Sequence, residues 1–105
     1  MPHLHMSFRT GHVDIIAANT AYPVVVPVGT VRGRIRARKT GGNDHDLHIA
    51  DNAVKLLVTG EYFTIIGGQD YYERDLQFNK EYTFYVASPD ANVVMEFIWW
   101  GEWGN

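Results

Sequence analysis

The sequence predicts an all-β protein: a single-domain antiparallel β-sandwich or jelly-roll-like barrel of about eight short strands. Three observations predict it. No window sustains an amphipathic helical repeat over several turns. Ten glycines and four prolines fall between short apolar or alternating runs. The second half is loaded with aromatics, from Tyr62 and Phe63 through Tyr71, Tyr72, Phe78, Tyr82, Phe84, Tyr85 and Phe97 to Trp99, Trp100 and Trp103, and such residues suit a pleated, half-buried surface.

The chain has 105 residues, 46% of them hydrophobic and 20% charged. That is enough to bury one core, whereas two independently cored halves would each be marginal. The expected organisation is an N-terminal arm over residues 1–12 and one sandwich domain over 13–105.

The expected strands are 13–16, 22–26, 31–38, 47–50, 54–58, 62–66, 82–87 and 93–100. The first follows the arm. In the second, Pro23 and Pro27 flank Val24-Val25-Val26, and because proline donates nothing to a ladder, this strand belongs at a sheet edge or a strand end. From Val31 to Arg38 the residues alternate, and Gly41-Gly42-Asn43-Asp44 then turns the chain towards 47–50. Thr59-Gly60-Glu61 connects two apolar runs, giving an expected hairpin from Leu56 to Ile66 that Gly67-Gly68-Gln69-Asp70 closes. Ser88-Pro89-Asp90-Ala91-Asn92 links the last two strands in a second expected hairpin, Tyr82 to Trp100.

The formal charge of −3 gives no general affinity for nucleic acid, which needs an excess of Lys and Arg. The absence of cysteine removes disulfides, thiol nucleophiles and Cys-ligated zinc. No apolar run approaches a membrane span, and Met1-Pro2-His3-Leu4-His5-Met6 is no secretory signal, so synthesis and folding in a cytoplasm are expected. No glycine-rich loop opens a helix, which argues against nucleotide binding. Ser7 and Ser88 lie in no nucleophile context, Glu96 and Glu102 are carboxylates without an identifiable partner, and no catalytic residue is assigned.

Three stretches could carry contact or chemistry. Along Val31–Arg38 a strand points Val31, Gly33, Ile35 and Ala37 to one face and Arg32, Arg34, Arg36 and Arg38 to the other. Those arginines either pair with carboxylates on neighbouring strands or form a contact surface for an acidic protein or a neighbouring subunit. Asp44-His45-Asp46-Leu47-His48-Ile49-Ala50-Asp51 is the only stretch rich in metal-ligating groups. A strand there would bring Asp46 and His48 to one face, at most a partial ligand set, to which His3, His5 or His12 would have to add. No metal or other cofactor is therefore expected. The last strand is apolar on both faces, with Val93, Met95, Phe97 and Trp99 on one and Val94, Ile98 and Trp100 on the other. The second face must then be covered by a loop, the N-terminal arm bearing His3 and His5, or another copy of the chain. Trp99, Trp100 and Trp103 are the interface candidates, against the alternative that the strand is ordinary core with Trp103 folded back over it.

The order of features from Gly11 to Glu102 resembles small bacteriophage virion proteins of the β-sandwich type: capsid decoration or cement, head-fibre and tail-accessory modules. The resemblance rests on Tyr22-Pro23-Val24-Val25-Val26-Pro27-Val28 before the alternating strand Val31 to Ala37. It continues through Leu47-His48-Ile49-Ala50-Asp51, then Gly60-Glu61-Tyr62-Phe63-Thr64-Ile65. It ends with Phe84-Tyr85-Val86-Ala87-Ser88-Pro89-Asp90-Ala91-Asn92-Val93-Val94 before an aromatic strand. It implies a non-enzymatic virion structural protein, assembled in the host cytoplasm, that self-associates as a homo-oligomer, a trimer by preference. Its expected partner is a major capsid or tail protein, with no nucleic acid, membrane or small-molecule substrate. Two rival expectations are a carbohydrate-binding module stacking sugars on Tyr71 and Tyr72, and a cupin-like metal enzyme using His45 and His48.

Overall fold

The computed structural model describes residues 6–77 and 79–103; the readings placed on His3, His5 and Phe78 lie outside the described residues. Eight strands form: β1 (Ser7–Ile15), β2 (Tyr22–Val26), β3 (Thr30–Ala37), β4 (Leu47–Ala50), β5 (Phe63–Ile65), β6 (Asp70–Glu73), β7 (Tyr82–Ala87) and β8 (Val93–Gly101). A π-helical turn, Lys55–Thr59, precedes β5.

Every pairing is antiparallel, and the pairs are nested: first strand with last, second with seventh, third with sixth, fourth with fifth. Two further pairings, β3 with β8 and β4 with β7, fold this long ribbon across itself. The result is one sheet in the order β1-β8-β3-β6 facing another in the order β2-β7-β4-β5. This is a jelly roll, so the all-β sandwich expected from the sequence is the fold the chain adopts. β2 lies at a sheet edge, where the missing N–H of Pro23 is tolerated.

Period-two alternation builds the core. Ile15, Val24, Val26, Ile35, Leu47, Ile65, Val86, Val93, Met95 and Trp99 are buried between the sheets, each aliphatic chain contributing about 1.5–3 kcal/mol relative to exposure. Two aromatic rings on β8 need bare backbone beside them. Gly33 of β3 sits opposite Trp99 and Gly11 of β1 opposite Phe97. A Cβ at Gly33 would lie 2.6 Å from Trp99 Cζ3, and one at Gly11 2.5 Å from Phe97 Cζ. The two rings stack on each other at 4.9 Å between centroids, so neither can retreat from its glycine.

Four expectations need correction. Residues 7–12 belong to β1, which pairs with β8 from Ser7↔Gly101 onward, so they are sheet rather than arm. Residues 54–58 do not form a strand and 56–66 do not form a hairpin. The Asn52 side chain accepts from the Lys55 N–H at 2.9 Å, Lys55 Nζ reaches Asp51 one turn back at 3.0 Å, and Gly60 ends the turn at φ 71°. These are helix start and stop signals, and they decided an apolar run whose periodicity alone fits either state. The short strand β6 was missed because it is polar at both ends. Finally, β7 and β8 lie in opposite sheets, so the 88–92 link, with Asn92 at φ 57°, crosses the sandwich instead of closing a hairpin.

Candidate functional site

The pleat of β3 buries Gly33 and Ile35 and leaves Arg34 and Arg36 exposed, so the arginine face expected from the sequence exists. Neighbouring carboxylates meet most of it. Arg36 Nε lies 2.5 Å from Glu96 Oε1, Arg38 Nε 3.0 Å from Glu96 Oε2, and Arg34 Nε 3.6 Å from Asp70. Arg32 differs: its guanidinium lies over the Trp100 ring at 5.3 Å, and its buried Nε has no hydrogen-bond partner.

The Arg36 hydrogen bond, opposed by burial and reinforced by Arg38, holds the Glu96 carboxyl below the usual carboxylate range. A depressed carboxyl stabilises the fold above its unfolded pKa of about 4.3, and that contribution is lost as pH falls through the folded value. Because the arginines are about half exposed, screening limits the effect. Glu96→Gln should cost about 0.2–1 kcal/mol at neutral pH. Urea melts at pH 7 and near pH 2 check this: the gap between wild type and variant should close in acid, and a gap that persists there contradicts the assignment.

The three tryptophans separate into different roles. Trp99 is 5% exposed within a single protomer, so it is a core residue and the expectation of an interface role for it is corrected. Trp103 folds back onto the β1 end of the sheet. Its indole N–H donates to the Val28 carbonyl at 2.6 Å, its ring covers Gly29 and Gly101, and the Arg9 guanidinium sits 4.1 Å from its centroid. Only Trp100 points outward, half-buried under Arg32 and edge-on to Tyr72 at 6.2 Å. In register beside it on β1 is Phe8, 62% exposed.

The histidines of the 44–51 stretch are engaged elsewhere. His45 Nδ1 lies 2.9 Å from Asp90 and Nε2 2.7 Å from the Thr40 hydroxyl. With the Nδ1 proton donated to Asp90, Nε2 accepts from Thr40 and both ring nitrogens are spent. His48, on the outer face of β4, stacks on Tyr62 at 4.0 Å, and burial lowers its pKa against the opposing pull of Asp46. Asp46 itself accepts from the Gly67 N–H at 2.7 Å. Among the described residues, no group of three or more His, Asp or Glu is placed to hold a metal ion. Tyr71 and Tyr72 alternate along β6, with Tyr71 among residues packed on the core and Tyr72 beside Trp100, so they do not form one flat platform for a sugar.

The apolar surplus lies elsewhere than on β8. From just before the π-helical turn to just after β5, Val54, Leu57, Phe63 and Ile66 are each about half exposed, Tyr62 somewhat less, and Val58 77% exposed. The turn inserts one aliphatic side chain, Leu56, into the core and must leave its other residues outside. Sequence reading missed this surface because it treated the run as a strand with an inward face. Asn52 and Gly60, bracketing an apolar run, were the available signal.

No protein-family model and no curated protein sequence matches the chain. One solved structure is similar: a de novo designed double-stranded β-helix determined by solution NMR, 14% identical, covering 90% of this chain and 97% of its own, with a TM-score of 0.50. At that identity the likeness is one of fold alone, and it agrees with the two facing four-stranded sheets.

Proposed function

We propose that this chain is a non-enzymatic structural protein of a bacteriophage virion, a jelly roll that self-associates and docks on the capsid or tail surface in a decoration role. The observation that carries the reading is the exposed apolar segment 54–66. A monomer gains nothing by holding six large apolar side chains in water, whereas a protein that acts by contact area uses them. Each square ångström of apolar surface they bury contributes roughly 25 cal/mol, less the cost of association. Many copies on one particle multiply the effect through valency. Phe8, Trp100 and the partly unsatisfied Arg32 supply a second strip, on the opposite kind of surface, where an aromatic pair and a cation suit an acidic partner.

The order of sequence features resembling small virion β-sandwich proteins supports the same reading, as does the engagement of the His45 and His48 side chains with their neighbours. Light scattering and particle co-sedimentation test it. Wild type should run as an oligomer and sediment with capsids or tails. Val58→Glu, at a position too exposed to matter to folding, should yield folded monomer that stays in the supernatant. A wild type that is monomeric and unretained at micromolar concentration would remove the proposal.

A further inference from the structure

Between the two sheets, at the end where β3 and β6 face β4 and β7, the core is not filled. A cavity of about 530 Å³ opens there, walled by Val26, Ile35 and Ile49, by the rings of Phe63, Tyr71 and Phe84, and by Trp99 in its depth. This is within the size range of small-molecule sites, which pair apolar and aromatic walls with a few placed polar groups. The charged groups among its described lining residues are both carboxylates, Asp51 and Glu73. Asp51 already has the Lys55 ammonium at 3.0 Å. Glu73 is held in place by the Tyr71 hydroxyl, which donates to its Oε1, while its Oε2 is met by no described residue. Burial and that hydrogen bond push the Tyr71 phenol up to about 12, so it stays a neutral donor to a carboxylate that lies exposed at the cavity's open side. Phe63 stands edge-on to Tyr71 at 5.4 Å between centroids, so a second ring lines the wall next to the Tyr71–Glu73 pair.

We propose that this cavity binds a small apolar ammonium: an aliphatic or aromatic body among the rings and aliphatic side chains, with its cationic nitrogen beside Glu73 and the aromatic faces. The charge complementarity selects the class. A carboxylate ligand would meet Glu73 with like charge, and a sugar would set most of its hydroxyls against Val26, Ile35 and Ile49 with nothing to bond. A cation is favoured by both the carboxylate and the ring quadrupoles. The site shares only Phe63 with the exposed segment 54–66; its other walls lie outside the proposed assembly surface.

The test uses three probes on the whole protein, followed by calorimetry: phenyltrimethylammonium, its uncharged isostere tert-butylbenzene, and benzoate. The cation should bind on the order of tenfold more tightly than the isostere, as expected for a cation set against aromatic rings and a carboxylate, and benzoate should not bind. Glu73→Gln should narrow the gap between cation and isostere to what the rings alone supply, and a gap left unchanged would overturn the proposal. Ile49→Trp, which fills the cavity from β4, should abolish binding of both. Equal affinity for cation and isostere, no binding of the cation at millimolar concentration, or binding that survives Ile49→Trp in a folded variant would each overturn the proposal.

Discussion

Trp99→Ala should destabilise the protein by about 3–5 kcal/mol, the range for truncating a large buried aromatic. The ring is 5% exposed, stacked on Phe97 and laid over the backbone of Gly33. Its loss would enlarge the cavity beside it, and surrounding side chains can close only part of the gap. A domain of this size has about 5–15 kcal/mol of total stability, so the variant should lose a large share of it. Urea denaturation checks this: the midpoint should fall with the slope unchanged, which marks lost stability rather than an altered unfolded state. The interface role expected for Trp99 from the sequence would instead show as loss of oligomer or of particle binding. A folded, stable monomer would restore Trp99 to an interface.

Gly33→Val should cost about 1–3 kcal/mol by overpacking, and the cost should depend on what stands at residue 99. The new Cβ would begin 2.6 Å from the indole, and Phe97 on the other side prevents the ring from moving away. In a background carrying Trp99→Leu, whose side chain is smaller, the same glycine substitution should cost much less. The two changes should therefore be non-additive by about 0.5–3 kcal/mol, as for residues in direct contact. Thermal melts of the four proteins of this cycle measure it. Simple additivity would mean that strand flexibility absorbs the Cβ and that the glycine is there for some other reason. Gly11 beneath Phe97 repeats the arrangement on β1, so the inner face of this sheet reads as aromatic rings of β8 set into glycine gaps on both flanking strands.

Much of the fold was legible because it is written locally. The bounds expected for residues 22–26, 47–50 and 82–87 match β2, β4 and β7, since proline, glycine and Asx turns punctuate runs of β-branched and aromatic residues. Val31–Arg38 read correctly as a strand with an arginine face, and its pairing with carboxylates was one of the two readings offered. What misled was an apolar run with two possible periods. Residues 54–58 carry the hydrophobicity of a strand, but Asn52, the Asp51–Lys55 pair and Gly60 close a helical turn at less cost. That one misassignment hid the exposed segment, because a strand would have buried half of it. β6 was lost for the opposite reason: Asp70 and Glu73 obscure a strand whose two tyrosines face different surroundings.

By itself the sequence determined that the chain is β-structured, where most strands begin and end, that the prolines of β2 call for a sheet edge or a strand end, and which alternating faces are apolar or cationic. These follow from side-chain sterics and turn chemistry within a few residues. Only the tertiary structure decided that the first strand pairs with the last, that the final two strands lie in opposite sheets, and that Trp99 and Trp103 are covered by the protomer's own glycines and loops while Val58 and Phe63 are not. Strand alternation is the same whichever partner a strand takes, so pairing, and with it which apolar face meets water, is settled by contacts between residues far apart in the chain.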